Sequence, residues 1–261
     1  MPDNAAETPL RIFTRNFIDS NSTITLSHGG TAARLYDRDK EAKYATSGAN
    51  RDTISAQIDI TFMSGGVETE FTFSALLLLN TNLKELRFQK YVSGAYVDIL
   101  SVGENSESVI CKTFGAVKTS RVRLIMPNTI QPNKEKQIGQ LIIARQRFFI
   151  NDAMWTYDML GREKTRRLEM GNGELHIAHT LFAPTRTQRY GARVGWQLAS
   201  IETLNVIRCL KDEGIPFLWY PESITKPDEI WYVYISSPPA VKYTIHNKLA
   251  GYDISLELQE V

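Results

Sequence analysis

Two histidines three residues apart, His176 and His179 in GELHIAHTLF, are the pair in this chain most like metal ligands. On a helix that spacing would bring both imidazoles to one face. The surrounding residues read as a strand, where positions three apart point to opposite faces. The expectation is therefore ordinary polar strand positions, with His28 and His246 given no fixed place beside them. Asp37, Asp39 and Glu41 offer hard oxygen ligands of the kind calcium takes, but Arg38 and Lys40 interleave with them and no glycine bends the loop around an ion. That loop reads as a solvated edge. No Gly-x-Ser-x-Gly elbow, phosphate-cradling glycine loop or zinc-protease helix occurs. Cys209 falls on a helical stretch with no histidine partner, which suits a buried thiol better than a nucleophile. No pair of carboxylates is singled out for glycoside cleavage. The expectation is a protein that is not an enzyme and holds no cofactor and no metal.

Basic residues gather at Arg162, Lys164, Arg166 and Arg167, and again at Arg186, Arg189 and Arg193. Flanking one hairpin, they would make a positive ridge, and phosphate contacts use such residues. No aromatic platform or reading helix accompanies the ridge. Arg162, Arg166, Arg167, Arg186, Arg189 and Arg193 are therefore read as inter-subunit contacts that set register by charge, without specific nucleic-acid binding.

The composition bounds these readings. Across 261 residues, 30 Lys and Arg stand against 29 Asp and Glu, for a net charge of +1. Any charge-driven function must come from local patches. Cys111 and Cys209 are the only cysteines, which argues against a disulfide framework. The first residues, MPDNAAETPL, are polar and acidic, unlike a secretory signal. The longest apolar run, Ala75 to Leu79, is far short of the about 20 residues that span a bilayer. No membrane insertion is expected.

The elements that must position any site come in two kinds. From Thr23 to about Arg147 short segments alternate with period two, among them Gln57–Phe62, Glu85–Tyr91 and Arg121–Met126. Turn residues such as Pro127-Asn128 and Pro132-Asn133 separate them, as in an antiparallel sandwich. Residues 151–167 show no sustained period and read as a connector or an ordered extension between domains. The remainder mixes strands with one helix, capped by Ser200, favoured by Glu202 at its positive end and stopped by Gly214. Ile201, Leu204, Ile207 and Leu210 are expected to line its buried face. Gly171-Asn172-Gly173 marks a hairpin tip, and the final strand alternates Ile254, Leu256 and Leu258 against Ser255, Glu257 and Gln259. The fold class is mainly β.

In the first half, LYDRDKEAKYATSGANRDTISAQIDITF, SALLLLNTNLKELRFQKY and SRVRLIMPNTIQPNKEKQIGQLIIARQ resemble the discoidin or galactose-binding-like jelly roll over about Ile12 to Gln146. In the second half, GWQLASIETLNVIRCLKDEGIPFLWYPES and YDISLELQEV are similar to the tail-tube fold of tailed-bacteriophage tube and distal-tail proteins. The resemblance implies three parts. Residues 1–148 would be a jelly-roll β-sandwich, 149–167 a connector, and 168–261 a tail-tube-like β-sandwich with one helix. It also implies a structural protein of a phage tail, in the virion and assembled in the host cytoplasm. That protein would form a homo-oligomeric ring, a hexamer in the resembled family, joining the tail tube to tail-tip hub and baseplate proteins. The alternative is a carbohydrate-binding module that attaches a particle to host glycans. For it the resemblance points to Tyr36, Tyr44 and Arg51 as sugar contacts.

Overall fold

The computed structural model describes residues 11–38, 42–48, 51–147, 154–159, 166–169, 175–178, 191–214, 216–220, 230–246 and 249–260. The chain divides into two compact units, one of residues 1–147 with 220–230, the other of residues 148–219 with 231–261.

The first unit is an antiparallel sandwich. Its five-stranded sheet runs in the order β2 (Thr23–Leu26), β4 (Ala56–Thr61), β11 (Arg121–Met126), β8 (Leu86–Val92), β9 (Ala95–Val102). A three-stranded sheet places β7 (Phe71–Leu79) between β10 (Ile110–Thr119) and β13 (Gln140–Ala144). Period-two patterning sets which side chains go in: in β4 and β11, Ala56, Ile58, Ile60, Val122, Leu124 and Met126 are buried, and the residues between them are only partly so. The central β7 carries an unbroken apolar run, Ala75 to Leu79, because both of its faces are covered. Between the sheets, the Phe73 ring meets Phe62, Phe88 and Phe114 at centroid distances of 6.0, 6.1 and 6.0 Å, within the range for favourable edge and tilted contacts. Shorter pairs complete the unit: β1 (Arg11–Phe13) with β14 (Gln146–Arg147), β3 (Tyr44–Ala45) with β12 (Gln137–Ile138), and β5 (Met63–Ser64) with β6 (Val67–Glu68).

The second unit is built on β22 (Leu249–Glu260). On one side β22 pairs with β18 (Gly191–Ala199), which in turn pairs with β15 (Met154–Met159). On the other side the start of β22 pairs with β21 (Ala240–His246) and its end with β20 (Trp231–Ile235), beyond which lies β19 (Phe217–Tyr220). A separate hairpin joins β16 (Arg166–Glu169) to β17 (Leu175–Ala178). Its tip, Gly171 to Gly173, lies outside the described residues.

One helix, α1 (Ile201–Glu213), packs on β22 and β20. The Ser200 hydroxyl accepts from the Thr203 N–H at 3.2 Å, and Gly214 closes the helix at φ 59°, a conformation that favours glycine. Leu204, Ile207 and Leu210 are buried. Ile201 is not, at 42 % exposed. The inward position of the first turn is taken by Thr203, buried beside the cap.

Three features depart from the sequence reading. The segment 151–167, read as a connector or an ordered extension and given no strand, contains β15, paired along its whole length with β18. Residues 220–230 belong to the first unit although they follow most of the second in sequence. β21, which had no counterpart in the reading, runs the full length of AVKYTIH. Among the described residues no helix is long and apolar enough to cross a membrane.

Candidate functional site

In the sandwich, antiparallel pairing brings the ends of β2, β7, β9 and β11 and the starts of β4, β8, β10 and β13 to one end. The segments 27–55, 80–85, 103–109 and 127–139 therefore meet there. Such a meeting of long loops at the end of a rigid scaffold is where binding residues are usually found.

These loops are tied by side chains. Lys136 is fully buried, and its Nζ donates to the carbonyl oxygens of Arg51 and Ile54, both at 2.9 Å. Thr46 and Lys136 bond reciprocally: the Thr46 N–H donates to the Lys136 carbonyl, and the Thr46 hydroxyl accepts from the Lys136 N–H. Burial holds the Lys136 ammonium below the usual lysine range, opposed by the nearby Asp52 carboxylate. That carboxylate accepts from the Thr129 N–H at 3.4 Å and the Asn133 N–H at 3.3 Å, while the Thr129 hydroxyl donates to the Gln131 carbonyl at 2.7 Å. Asn82 bridges onward, with Nδ2 donating to the Glu135 carbonyl and Oδ1 accepting from the Gln137 N–H, each at 2.8 Å. Asn105 Nδ2 donates to the carbonyls of Leu83 and Glu107. Four loops thus become one network of satisfied polar groups.

The residues singled out from the sequence fare differently here. Arg51 is exposed, its backbone pinned by Lys136 and its guanidinium at the surface. Tyr36 is half-buried at the end of the short turn of 3-10 helix Ala32–Leu35, with one side packed on the core. Tyr44 is a correction. It is fully buried, so its ring cannot stack on a sugar, and burial pushes its hydroxyl up to about 12. Gly30, at φ 91°, lies so close to this ring that a Cβ there would collide with it and sit 2.7 Å from the Ala45 carbonyl. Tyr44 is thus a floor under the loops.

His28 had no place in the sequence reading, yet it stands at this end. Ser27 Oγ accepts from the Gln57 N–H at 2.8 Å and lies 2.7 Å from His28 Nδ1. With two lone pairs and one proton, the hydroxyl couples the Gln57 backbone to the His28 ring. Only the signal of a histidine beside Gly29-Gly30 marked this position in the sequence.

A second polar surface covers the outer face of the five-stranded sheet. Arg123 forms two hydrogen bonds to Asp59, at 2.7 and 3.0 Å, and its guanidinium carbon lies 3.7 Å from the Tyr96 ring centroid. Arg121 pairs likewise with Glu68 and lies over Tyr91. These groups saturate one another.

For the arginine ridge, Arg162, Arg186 and Arg189 lie outside the described residues. Arg166 and Arg167 sit on β16, paired with Ala178 and Ile177. Arg193 pairs within the chain with Glu257, its partner across the β18–β22 ladder, at 3.0 Å, and its side chain stays exposed. Asp37 pairs with Arg34 at 3.2 Å, whereas Asp39 and Glu41 lie outside the described residues. His176 is on a strand, as expected, with His179 outside the described residues. Among the described residues no group of three or more metal-binding side chains occurs.

No family model matches this chain, and no curated protein does. Solved structures similar to it include a chitosan-binding module of a chitosanase/glucanase from Paenibacillus sp. IK-5, at 13 % identity and TM-score 0.42, covering 50 % of this chain and 98 % of that one. Another is the family 32 carbohydrate-binding module of Clostridium perfringens NanJ in complex with galactose, at 10 % identity and TM-score 0.42, covering 51 % and 99 %. A third is a Ruminococcus gnavus fucosidase in complex with fucose, at 12 % identity and TM-score 0.41, covering 51 % of this chain and 27 % of that one.

Proposed function

We propose that the first unit is a non-catalytic carbohydrate-binding module whose ligand sits on the locked loop end. The observation that carries this reading is the Lys136–Asp52–Asn82 network, which fixes the backbone of the segment that carries the exposed Arg51, at the same loop end as the half-buried Tyr36 and His28. A sugar offers hydroxyls that accept from guanidinium and imidazole N–H groups and a C–H face that packs on an aromatic ring. A site already ordered loses little conformational entropy on binding. Mixed charges at this end, Arg51, Lys84 and Lys134 against Asp52, Glu104 and Glu107, suit a neutral polyol better than a polyanion.

The test is a glycan array probed with the wild-type chain, Arg51→Ala and Tyr36→Ala, each checked for an unchanged melting temperature. Binding to a defined glycan class that falls about tenfold or more in Arg51→Ala is expected. Absence of any binding would overturn the reading.

A second reading, a ring-forming structural protein of a phage tail in the virion, draws on the second unit. Among the described residues β15 and β21 are each paired on one side only, and free edges are templates for strand addition from a neighbour. Electron micrographs of closed rings with a central hole would favour it.

A further inference from the structure

The core face of the second unit's sheet continues past its helix. On β22, Ile254, Leu256 and Leu258 point inward and are buried. Their face carries on across the ladder to β21, where Val241 lies opposite Ile254, Tyr243 opposite Tyr252 and Ile245 opposite Ala250. There the same face is bare: Val241 is 39 %, Tyr243 58 % and Ile245 69 % exposed. Three large apolar side chains in alternation on one strand are a stripe, not scattered surface residues. The same strand has no ladder partner on its outer side among the described residues.

We propose that β21 docks on β21 of a second copy of this chain, antiparallel about a two-fold axis through Tyr243. The sequence AVKYTIH is self-complementary in that register. Val241 falls opposite the partner copy's Ile245, and Tyr243 opposite its own equivalent, so the exposed stripe becomes continuous across four strands. On the other face Lys242 falls opposite a threonine, Thr244. Lys242 already lies opposite Asp253 of its own chain, whose carboxylate also accepts from the Thr244 hydroxyl at 2.7 Å, so in this register no like charges face each other. The backbone groups of the edge pair at the same time, and the two-fold operation closes the assembly at two copies. This goes beyond glycan recognition, and it gives each particle two loop ends, with a gain in avidity on surfaces bearing many sugars.

Light scattering on the eluting full chain across a dilution series provides the test. The wild type is expected at twice its 29.6 kDa. Two double variants remove the same apolar pair and differ only in the register they allow. V241K/I245K sets like charges opposite each other twice and is expected to be monomeric. V241K/I245E sets opposite charges there and is expected to remain dimeric, with a dissociation constant at least about tenfold lower than the first. A monomeric wild type, an assembly of more than two copies, or two variants of the same mass would each overturn the proposal.

Discussion

The two units use the same antiparallel chemistry and finish it differently. In the first, both sheets cover each other, the loops are laced together, Arg121–Glu68 and Arg123–Asp59 pair on the outer face, and the exposed large apolar residues, Val67, Val92 and Val97, sit at or beside hairpin turns. In the second, helix α1 covers part of a sheet whose apolar face runs on to β21, an edge strand among the described residues. Closure of the first kind prepares a rigid end for a small ligand. An unfinished sheet of the second kind prepares a surface for another strand. The difference teaches where to look for function: polar preorganisation marks one site, and apolar excess at an edge marks the other.

The contrast is broken most severely by emptying the closed core. Phe73→Ala removes a fully buried ring that touches three other phenylalanines, and a loss of about 3–5 kcal/mol in the first unit is expected by denaturant unfolding. Tyr243→Ala, on the open face, loses only an edge contact with Tyr252 and is expected to change monomer stability by no more than about 1.5 kcal/mol. Equal effects would mean that the two faces are not finished differently.

A smaller effect tests the lacing. Lys136→Met leaves the Arg51 and Ile54 carbonyls without their donor, with an expected cost of about 1–3 kcal/mol. Glycan affinity is expected to fall by more than the unfolded fraction explains, because the segment that carries Arg51 is released. Wild-type affinity in a folded Lys136→Met protein would show that the network does not position the site.

The smallest effect concerns pH. Hydrogen bonds from Arg121 and then Ser120 hold Glu68 below its ordinary value of 4.5. A carboxyl depressed on folding contributes stability that is present above the unfolded value and lost as pH falls through the folded one. Stability should therefore decline below about pH 4.5, and Glu68→Gln should flatten that part of the profile. An unchanged acid limb in Glu68→Gln would remove the pair from the stability of the outer face.

Much of this architecture is legible in the sequence. Alternation in AQIDIT and RVRLIM fixes which side chains turn inward, and Ser200 and Gly214 bracket the helix at its observed ends. What resisted reading depends on contacts distant in sequence. Tyr44 has the composition of a surface loop residue, and only the approach of Gly30 and the pairing of β3 with β12 bury it. Lys136 reads as one lysine in a charged turn, because its acceptors lie more than 80 residues away. Arg193 meets Glu257 only through a ladder between strands 64 positions apart. β21 follows Pro238-Pro239 and mixes Lys242 and Thr244 with its apolar residues, so its pattern blends into the turn before it.

The most direct test of the loop-end site is amide correlation NMR of the full chain, titrated with the strongest glycan from the array. Shifts concentrated at His28, Tyr36, Arg51 and the 127–139 segment are predicted. Shifts concentrated instead on Asp59, Gln89, Tyr96 and Arg123, across the outer face of the five-stranded sheet, would contradict it.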